Sequence, residues 1–425
     1  MKKVPLLGWI VIAILTGILL GSFTPGLIDG VNNALGTALP SDAIVQIFVS
    51  FSTIFSAFLS FAIPLIIIGF IVPGIGSLAS GAGKLLGTTV GLSYFSSLCA
   101  GFLALTCAYF LYPVLLKGQQ LTSFDNPEEA LSTGYISFEL TPLFDVTTAL
   151  VLSFILGLGL TALKTKNLLN VFVDFQTIIE KLLSVVIIPL LPLHIVGIFA
   201  NMTLAGEVAT IIAVFGKVFV MVILLHWTML LIQYTASGAI TQRNPFAMIR
   251  KMLPAYFTAL GTQSSAATIP VTLRSTKTLG VSDRIAGFVI PLCATIHLSG
   301  SMITITSCAV AVVFMTTGSL SFTALIPLIF MLGVVMVAAP GVPGGGVMAA
   351  IGLLQSMLGF DDAMIALMIA LYMAQDSFGT ATNVTGDATI AAIIDKVGKR
   401  FSDDDVAASS TSAAEFEKVT ETSHA

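Results

Sequence analysis

Charge is what this sequence has least of. Only 9% of its 425 residues are Asp, Glu, Lys or Arg, 56% are hydrophobic, and the mean hydropathy is +1.01. Soluble domains carry about a quarter charged residues, so a water-facing globule is excluded. Apolar runs near the roughly 20 residues that cross a bilayer recur from Leu6 to Ile394, more than one buried core can absorb. Cysteine is scarce as well: Cys99, Cys107, Cys293 and Cys308 lie in apolar sequence without the paired spacing of zinc sites or disulfide scaffolds, and read as small packing residues. A His-Glu-x-x-His motif is missing, which removes the metalloprotease reading. The net charge of −4 gathers in loops and in the tail, so nucleic acid is not an expected partner. No small-x-small cleavage site ends the first run, residues 6–21, although Lys2 and Lys3 precede it; it is expected to stay as the first helix.

The few basic residues orient the chain, because cytoplasmic loops are enriched in Lys and Arg. They cluster at Lys2 and Lys3, Lys84, Lys164 and Lys166, 243–251, 274–284 and 396–400, while the intervening loops carry Asp29 and Asp42, Asp125, Glu128 and Glu129, Glu207, and Asp361 and Asp362. Both termini are thereby expected in the cytoplasm and the protein in the cell (inner) membrane. Eight spans are expected, near 6–28, 44–71, 82–113, 146–163, 168–200, 209–239, 285–315 and 363–395. Lys181 and Lys217 fall inside two of them and are read as anchors at helix ends.

Two apolar stretches fit no span. The first, 252–273, has Arg250 and Lys251 before it, Arg274 and Lys277 after it, and a polar centre at Thr262-Gln263-Ser264-Ser265; it should enter and return on the cytoplasmic side. The second, about 319–360, is broken by Pro340-Gly341-Val342-Pro343-Gly344-Gly345-Gly346, which no continuous helix accepts, and should enter from outside. Irregular backbone at membrane depth is tolerated only where it lines a protein-enclosed or wet cavity. Two such hairpins, each preceding one full span in opposite orientation, point to a substrate site near the midplane.

The last span carries Asp376, Thr380, Asn383 and Asp387, which fall within roughly 60° of one another on a helix and form one polar stripe. A carboxylate in a membrane helix costs about 2.5 to 3.5 kcal/mol on insertion scales, and no Lys or Arg in the span offsets either acid. Polar helix packing accounts for Thr380 and Asn383 but not for both acids, so cationic ligands are expected. The seventh span contains Cys293-Ala294-Thr295-Ile296-His297-Leu298-Ser299-Gly300-Ser301, whose small and hydroxyl residues allow unwinding and free carbonyl oxygens for a hard ion such as Na⁺. Ser and Thr also pack ordinary membrane helices, and by itself this stretch decides nothing.

On the serine-rich first tip with Thr268-Ile269-Pro270-Val271-Thr272, on Gly341-Val342-Pro343-Gly344 in the second, and on Asn383-Val384-Thr385-Gly386-Asp387, the sequence resembles the dicarboxylate/amino acid:cation symporter family over nearly the whole chain to about residue 400. The resemblance implies an all-α polytopic membrane protein with eight transmembrane helices, two re-entrant hairpins, inverted repeats and an elevator mechanism in a homotrimer among membrane lipids. It divides the chain into scaffold helices one and two (1–81), helix three of a transport domain (82–113), an outer loop with scaffold helices four and five (114–208), the rest of the transport domain (209–400), and a disordered cytoplasmic tail (401–425). Asp376 matches the carboxylate that receives a substrate α-amino group and Asn383 the amide near the α-carboxylate. Ser264 and Ser265 match α-carboxylate contacts, Val342 and Gly346 match tip positions that close over the ligand, and Ser301, Gly379 and Thr380 complete the substrate set. Asp387 with carbonyls of Cys293, His297 and Asn383 matches one sodium site; Thr295 with second-tip carbonyls near 336–339 matches another.

The departures from the family pattern sharpen the expectation. Acidic amino acid carriers of the family hold an arginine where this chain has Gly379, or supply one from the first tip, where it has Gln263. Substrates are therefore expected to be neutral amino acids of the serine, threonine or alanine kind, with larger ones admitted. An acidic amino acid, a dicarboxylate or cystine is the alternative. A third sodium site of the family needs an aspartate where this chain has Ser299 and a tyrosine where it has Ser93, with Ser96 and Ser97 matching hydroxyl ligands; two sodium ions are expected. His297 could instead carry a proton, since imidazole titrates near neutral pH, although the sequence around it offers no carboxylate. Rival classes are a passive channel, which two meeting hairpins also suit, and an intramembrane enzyme, which would need catalytic aspartates on different helices. Asp376 and Asp387 stand eleven positions apart on one helix, so no enzyme is expected.

Overall fold

The computed structural model describes residues 6–398 apart from 80–83, 119–133, 137–139, 145, 164, 205, 207, 338, 340 and 342. The two chain ends, the expected tail 401–425 and Val342 of the second tip lie outside the described residues.

Among the described residues the regular structure is helical throughout. The helices are α1 (Leu6–Leu35), α2 (Ala43–Ala79), α3 (Lys84–Leu115), α4 (Val146–Ala162), α5 (Asn167–Leu182), α6 (Ile188–Leu204), α7 (Val208–Thr241), α8 (Pro245–Thr262), α9 (Ser265–Thr278), α10 (Asp283–Ile296), α11 (Ser299–Thr317), α12 (Phe322–Val337), α13 (Gly345–Leu358) and α14 (Asp362–Gly398). Seven segments are long and apolar enough to cross a membrane, with α5–α6 and α10–α11 each counting as one. The remaining expected span is α4, at 17 residues, or about 25 Å at 1.5 Å per residue.

Most boundaries extend beyond the sequence-based ones, and the causes are local. The first hairpin begins at Pro245, seven residues early, because Asn244 caps α8 by accepting from the N–H groups of Phe246 and Ala247 at 3.0 and 3.2 Å. Arg250 and Lys251 therefore lie within the helix, and Lys251 donates to the carbonyl of Thr278 at the end of α9, 2.7 Å away. Between α5 and α6 a π-helical turn, Leu183–Ile187, precedes Pro189; proline lacks the N–H that a regular turn requires, and a wider turn absorbs the mismatch. Lys217 donates to the carbonyl of Leu115 at the C-terminus of α3 at 2.7 Å, the anchoring role expected of it, and Lys181 sits exposed in the last turn of α5.

Packing gathers α1, α2, α4, α5 and α6 into one group, and α3 with α7 to α14 into another; they meet where α13 lies on α2 and α14 on α1. The first group presents apolar side chains outward, among them Leu15, Phe23 and Leu27 of α1, as a lipid-facing surface requires. The second group places α14 at its centre, in contact with α7, α8, α9, α10 and α11. That centre depends on one backbone crossing. A Cβ on Gly300 would collide with the carbonyl of Gly379, whereas nothing lies within 4 Å of a Cβ on Gly216. Gly300→Ala should destabilise the protein by about 1–3 kcal/mol through overpacking, while Gly216→Ala should be neutral or slightly stabilising. Thermal melts of the two purified variants in one detergent check this; equal melting temperatures would contradict the crossing.

Candidate functional site

The site is assembled around the broken seventh span. At His297 and Leu298 the backbone leaves the helix (φ −115°, ψ 87° and φ −112°, ψ 50°), between α10 and α11. His297 N–H still closes onto Cys293 at 2.9 Å, but the ladder does not continue onto the carbonyls of Ala294, Thr295 and Ile296. This is the unwinding expected at 293–301. The break also orphans the first N–H groups of α11, and Asn383 of α14 caps them from across the crossing. Its Oδ1 accepts from Gly300 N–H at 2.7 Å and Ser301 N–H at 3.3 Å, and its Nδ2 donates to Ser301 Oγ at 3.1 Å. Tyr372, one turn before Asp376, donates to the same hydroxyl at 3.2 Å.

Both hairpin tips reach this point. Asp376 Oδ2 accepts from the N–H of Gly344 at 2.8 Å, and a Cβ on Gly346 would lie 2.6 Å from the hydroxyl of Tyr372. Ser264 caps α9 by accepting from Ala267 N–H at 3.2 Å and donates to the carbonyl of Gly341 at 2.8 Å, joining the two tips. Gln263 holds the left-handed conformation (φ 54°) that turns the chain from α8 into α9, and its amide donates to Ser377 Oγ at 2.7 Å. Ser265, Ser301, Asp376, Thr380 and Asn383 are buried, and Ser264 is half-buried. The hairpins thus meet over α14, as their irregular sequences required.

The second carboxylate has a partner that local sequence hid. His297 Nδ1 lies 2.9 Å from Asp387 Oδ1, both side chains buried; the sequence close to His297 holds no carboxylate, and the fold brings this one from 90 positions away. With Asp387 ionised, Nδ1 carries the proton and Nε2 accepts from Ser96 Oγ at 3.0 Å or from the Gln233 amide at 3.3 Å. Gln233 Nε2 also donates to Ser96 Oγ at 2.9 Å and to Ser299 Oγ at 3.2 Å. Cys293 Sγ lies 3.5 Å from Ser93 Oγ, and Thr295 donates back to Leu292 at 2.9 Å. The second tip approaches the break at Ala294, whose carbonyl would lie 3.2 Å from a Cβ on Gly341.

These donors decide what the interior can hold. Among the described residues no three His, Cys, Asp or Glu side chains gather as a transition-metal set. A buried carboxylate without a Lys or Arg partner, beside carbonyls released by a helix break, is instead the oxygen-rich set that a hard cation takes. Around Ser299 the set is neutral: the hydroxyls of Ser96 and Ser299 each accept an amide hydrogen from Gln233, and neither position supplies a charge.

A family model described as the sodium:dicarboxylate symporter family matches residues 6–397. The chain belongs to that family. Its members and the relatives below are transporters, not enzymes. The chain is 35% identical over 162 residues to excitatory amino acid transporter 4 of Mus musculus, covering 38% of this chain and 29% of the relative. It is 33% identical to excitatory amino acid transporter 1 of Rattus norvegicus over 162 residues, 38% and 30% of the two chains, and 35% identical to excitatory amino acid transporter 5 of Homo sapiens over 157 residues, 36% and 28%. The matched segments span under a third of the length of each relative.

Sequence reading missed Tyr372, Gln233 and His226, which complete the polar interior of this symporter-family chain. The signal was there: polar side chains inside apolar spans, with Tyr372 four positions before Asp376 and Gln233 seven after His226 on one helical face. Because Asn383 satisfies two N–H groups at the N-terminus of α11, Asn383→Ala should cost about 1–2 kcal/mol. A melting temperature equal to that of the unaltered protein would show that α11 finds another cap.

Proposed function

We propose that this chain is a secondary active symporter that carries a neutral amino acid together with sodium ions across the cell membrane. The observation that carries the reading is the buried cage of Asp376, Ser301, Asn383 and the two hairpin tips, with no Lys or Arg hydrogen-bonded or ion-paired to it among the described residues. Asp376 is the one charged group there and suits the α-ammonium of the cargo through a charge-assisted hydrogen bond. Ser264, Ser265 and Asn383 are assigned to the α-carboxylate, and the tip positions Val342 and Gly346 to closing over the ligand. Gly379 and Thr380 lie beside Asp376, and Gln263 is engaged with Ser377, so a second carboxylate has no cationic partner.

A second reading, an acidic amino acid or dicarboxylate as cargo, is supported by the family description and by the names of the relatives, which carry excitatory amino acids. Tracer uptake into proteoliposomes separates the two. Serine, threonine and alanine should be taken up and should compete with one another, glutamate and aspartate should compete poorly, and Asp376→Asn should abolish uptake. Efficient glutamate uptake that neutral amino acids barely inhibit would establish the second reading.

Sodium is the coupling ion. One ion is assigned to Asp387 with carbonyls of Cys293, His297 and Asn383, the other to Thr295 and the second-tip carbonyls. A third is not assigned, since neutral hydroxyls do not offset the desolvation of a buried cation as a carboxylate does. In the working cycle α1, α2 and α4–α6 form the scaffold of a homotrimer, and α3 with α7–α14 moves as the transport body. Reversal of flux at a series of clamped membrane potentials should give two sodium ions per amino acid, and Asp387→Asn should lower the sodium dependence. Three ions per amino acid would contradict the assignment, and uptake driven by a proton gradient without sodium would move the coupling to His297.

A further inference from the structure

The side of the cage next to Gly379 holds a second buried group that the proposed cargo contacts do not use. His226 of α7 is fully enclosed, and its Nε2 lies 3.1 Å from the carbonyl oxygen of Gly300 and 3.1 Å from Thr304 Oγ1. A carbonyl oxygen only accepts, so Nε2 carries the hydrogen and serves both oxygens. Thr304 in turn donates its hydroxyl hydrogen to Gly300 at 3.1 Å. Every hydrogen in this triangle is therefore committed. What remains is a lone pair on Thr304 Oγ1, an acceptor with no hydrogen to give.

That hydroxyl lies against α14 at Gly379. Thr304 follows Ser301 by three positions on α11, so the two share a helix face, and Ser301 is bound to Asn383 and Tyr372. A Cβ built on Gly379 would meet Thr304 Oγ1 at 3.4 Å and the backbone of Gly300 at 3.6 and 3.7 Å, ordinary contact distances that admit a carbon without displacement. Gly379 and Thr304 thus face each other in contact across the crossing, one turn from both Asp376 and Asn383. His226 Nδ1 is buried without a partner, an unusual cost for a histidine whose other nitrogen fixes a single threonine.

We propose that Thr304 is a specificity-determining residue that accepts a hydrogen bond from the hydroxyl of a short neutral side chain, and that His226 is the positioning residue that fixes its lone pair toward the cargo. The inference rests on the neutral amino acid reading and narrows it to serine- and threonine-like molecules. A carboxylate brought beside Thr304 would set its oxygens against the lone pairs of Thr304 and Gly300, so the arrangement rejects acidic side chains by repulsion as well as by lacking a cation.

The test compares serine with alanine uptake in proteoliposomes containing the full-length protein. Thr304→Val, which keeps shape and removes the acceptor, should lower the serine-to-alanine ratio of kcat/KM about tenfold, the loss of one hydrogen bond. Thr304→Ser should keep the ratio, which guards against a packing effect. His226→Phe should lower it in the same sense, and His226→Gln, which retains an N–H donor, should restore much of it; a merely structural histidine would depress both substrates equally. A Thr304→Val ratio within about twofold of the original, with serine still transported, overturns this inference and leaves the neutral reading intact. Uptake confined to acidic amino acids in the unaltered protein overturns both.

Discussion

The interior of this protein depends on a backbone crossing in which α11 starts against the middle of α14, close enough that position 300 admits no side chain. The crossing fixes two things together. It brings the exposed N–H groups of a broken helix within 2.7 and 3.3 Å of the Asn383 carboxamide, so the break is satisfied in a region where water is scarce. It also sets the polar stripe of α14 against the hydroxyl face of α11, so that Ser301 meets Asn383 and Thr304 lies against Gly379. A helix break in an apolar interior is unfavourable unless its orphaned groups find partners; here the partner is supplied by the helix that carries the acids.

The two buried carboxylates are held differently, and the difference fits the separate roles proposed for them. Asp376 accepts a backbone N–H from a hairpin tip at 2.8 Å, a neutral donor that leaves the negative charge to be met by something else. Asp387 accepts from an imidazole that is itself bound to Ser96, deep behind the break. The first contact joins two separate elements, a tip and α14, whereas the second belongs to a buried network that ties α3, α7, α11 and α14 together.

The spans, both hairpins and the unwound stretch of the seventh span were legible in the sequence because each has a one-dimensional cause: apolar length, proline and glycine at membrane depth, hydroxyl residues within an apolar run. So was the stripe from Asp376 to Asp387, which needs only helical periodicity. The His297–Asp387 pair was not, since its members lie 90 positions apart and nothing local to either marks the other. Asn383 was legible as a polar residue of the stripe, but its capping of α11 arises from a crossing that only three-dimensional packing creates. Gln263 was read for its lack of charge, whereas its left-handed backbone and its bond to Ser377 belong to the tip geometry.

Under the neutral amino acid reading, Asp376 would join the cargo's ammonium group to the second tip. Its Oδ2 already serves Gly344, the residue at φ +75° that starts α13. An ammonium group that takes the other oxygen adds its charge-assisted bond while the tip stays shut, and it strengthens the closed arrangement by neutralising the carboxylate. Each carboxylate oxygen carries two lone pairs, so the Gly344 amide leaves acceptor capacity on both oxygens of Asp376, and an ammonium group would not have to compete with the tip for the carboxylate.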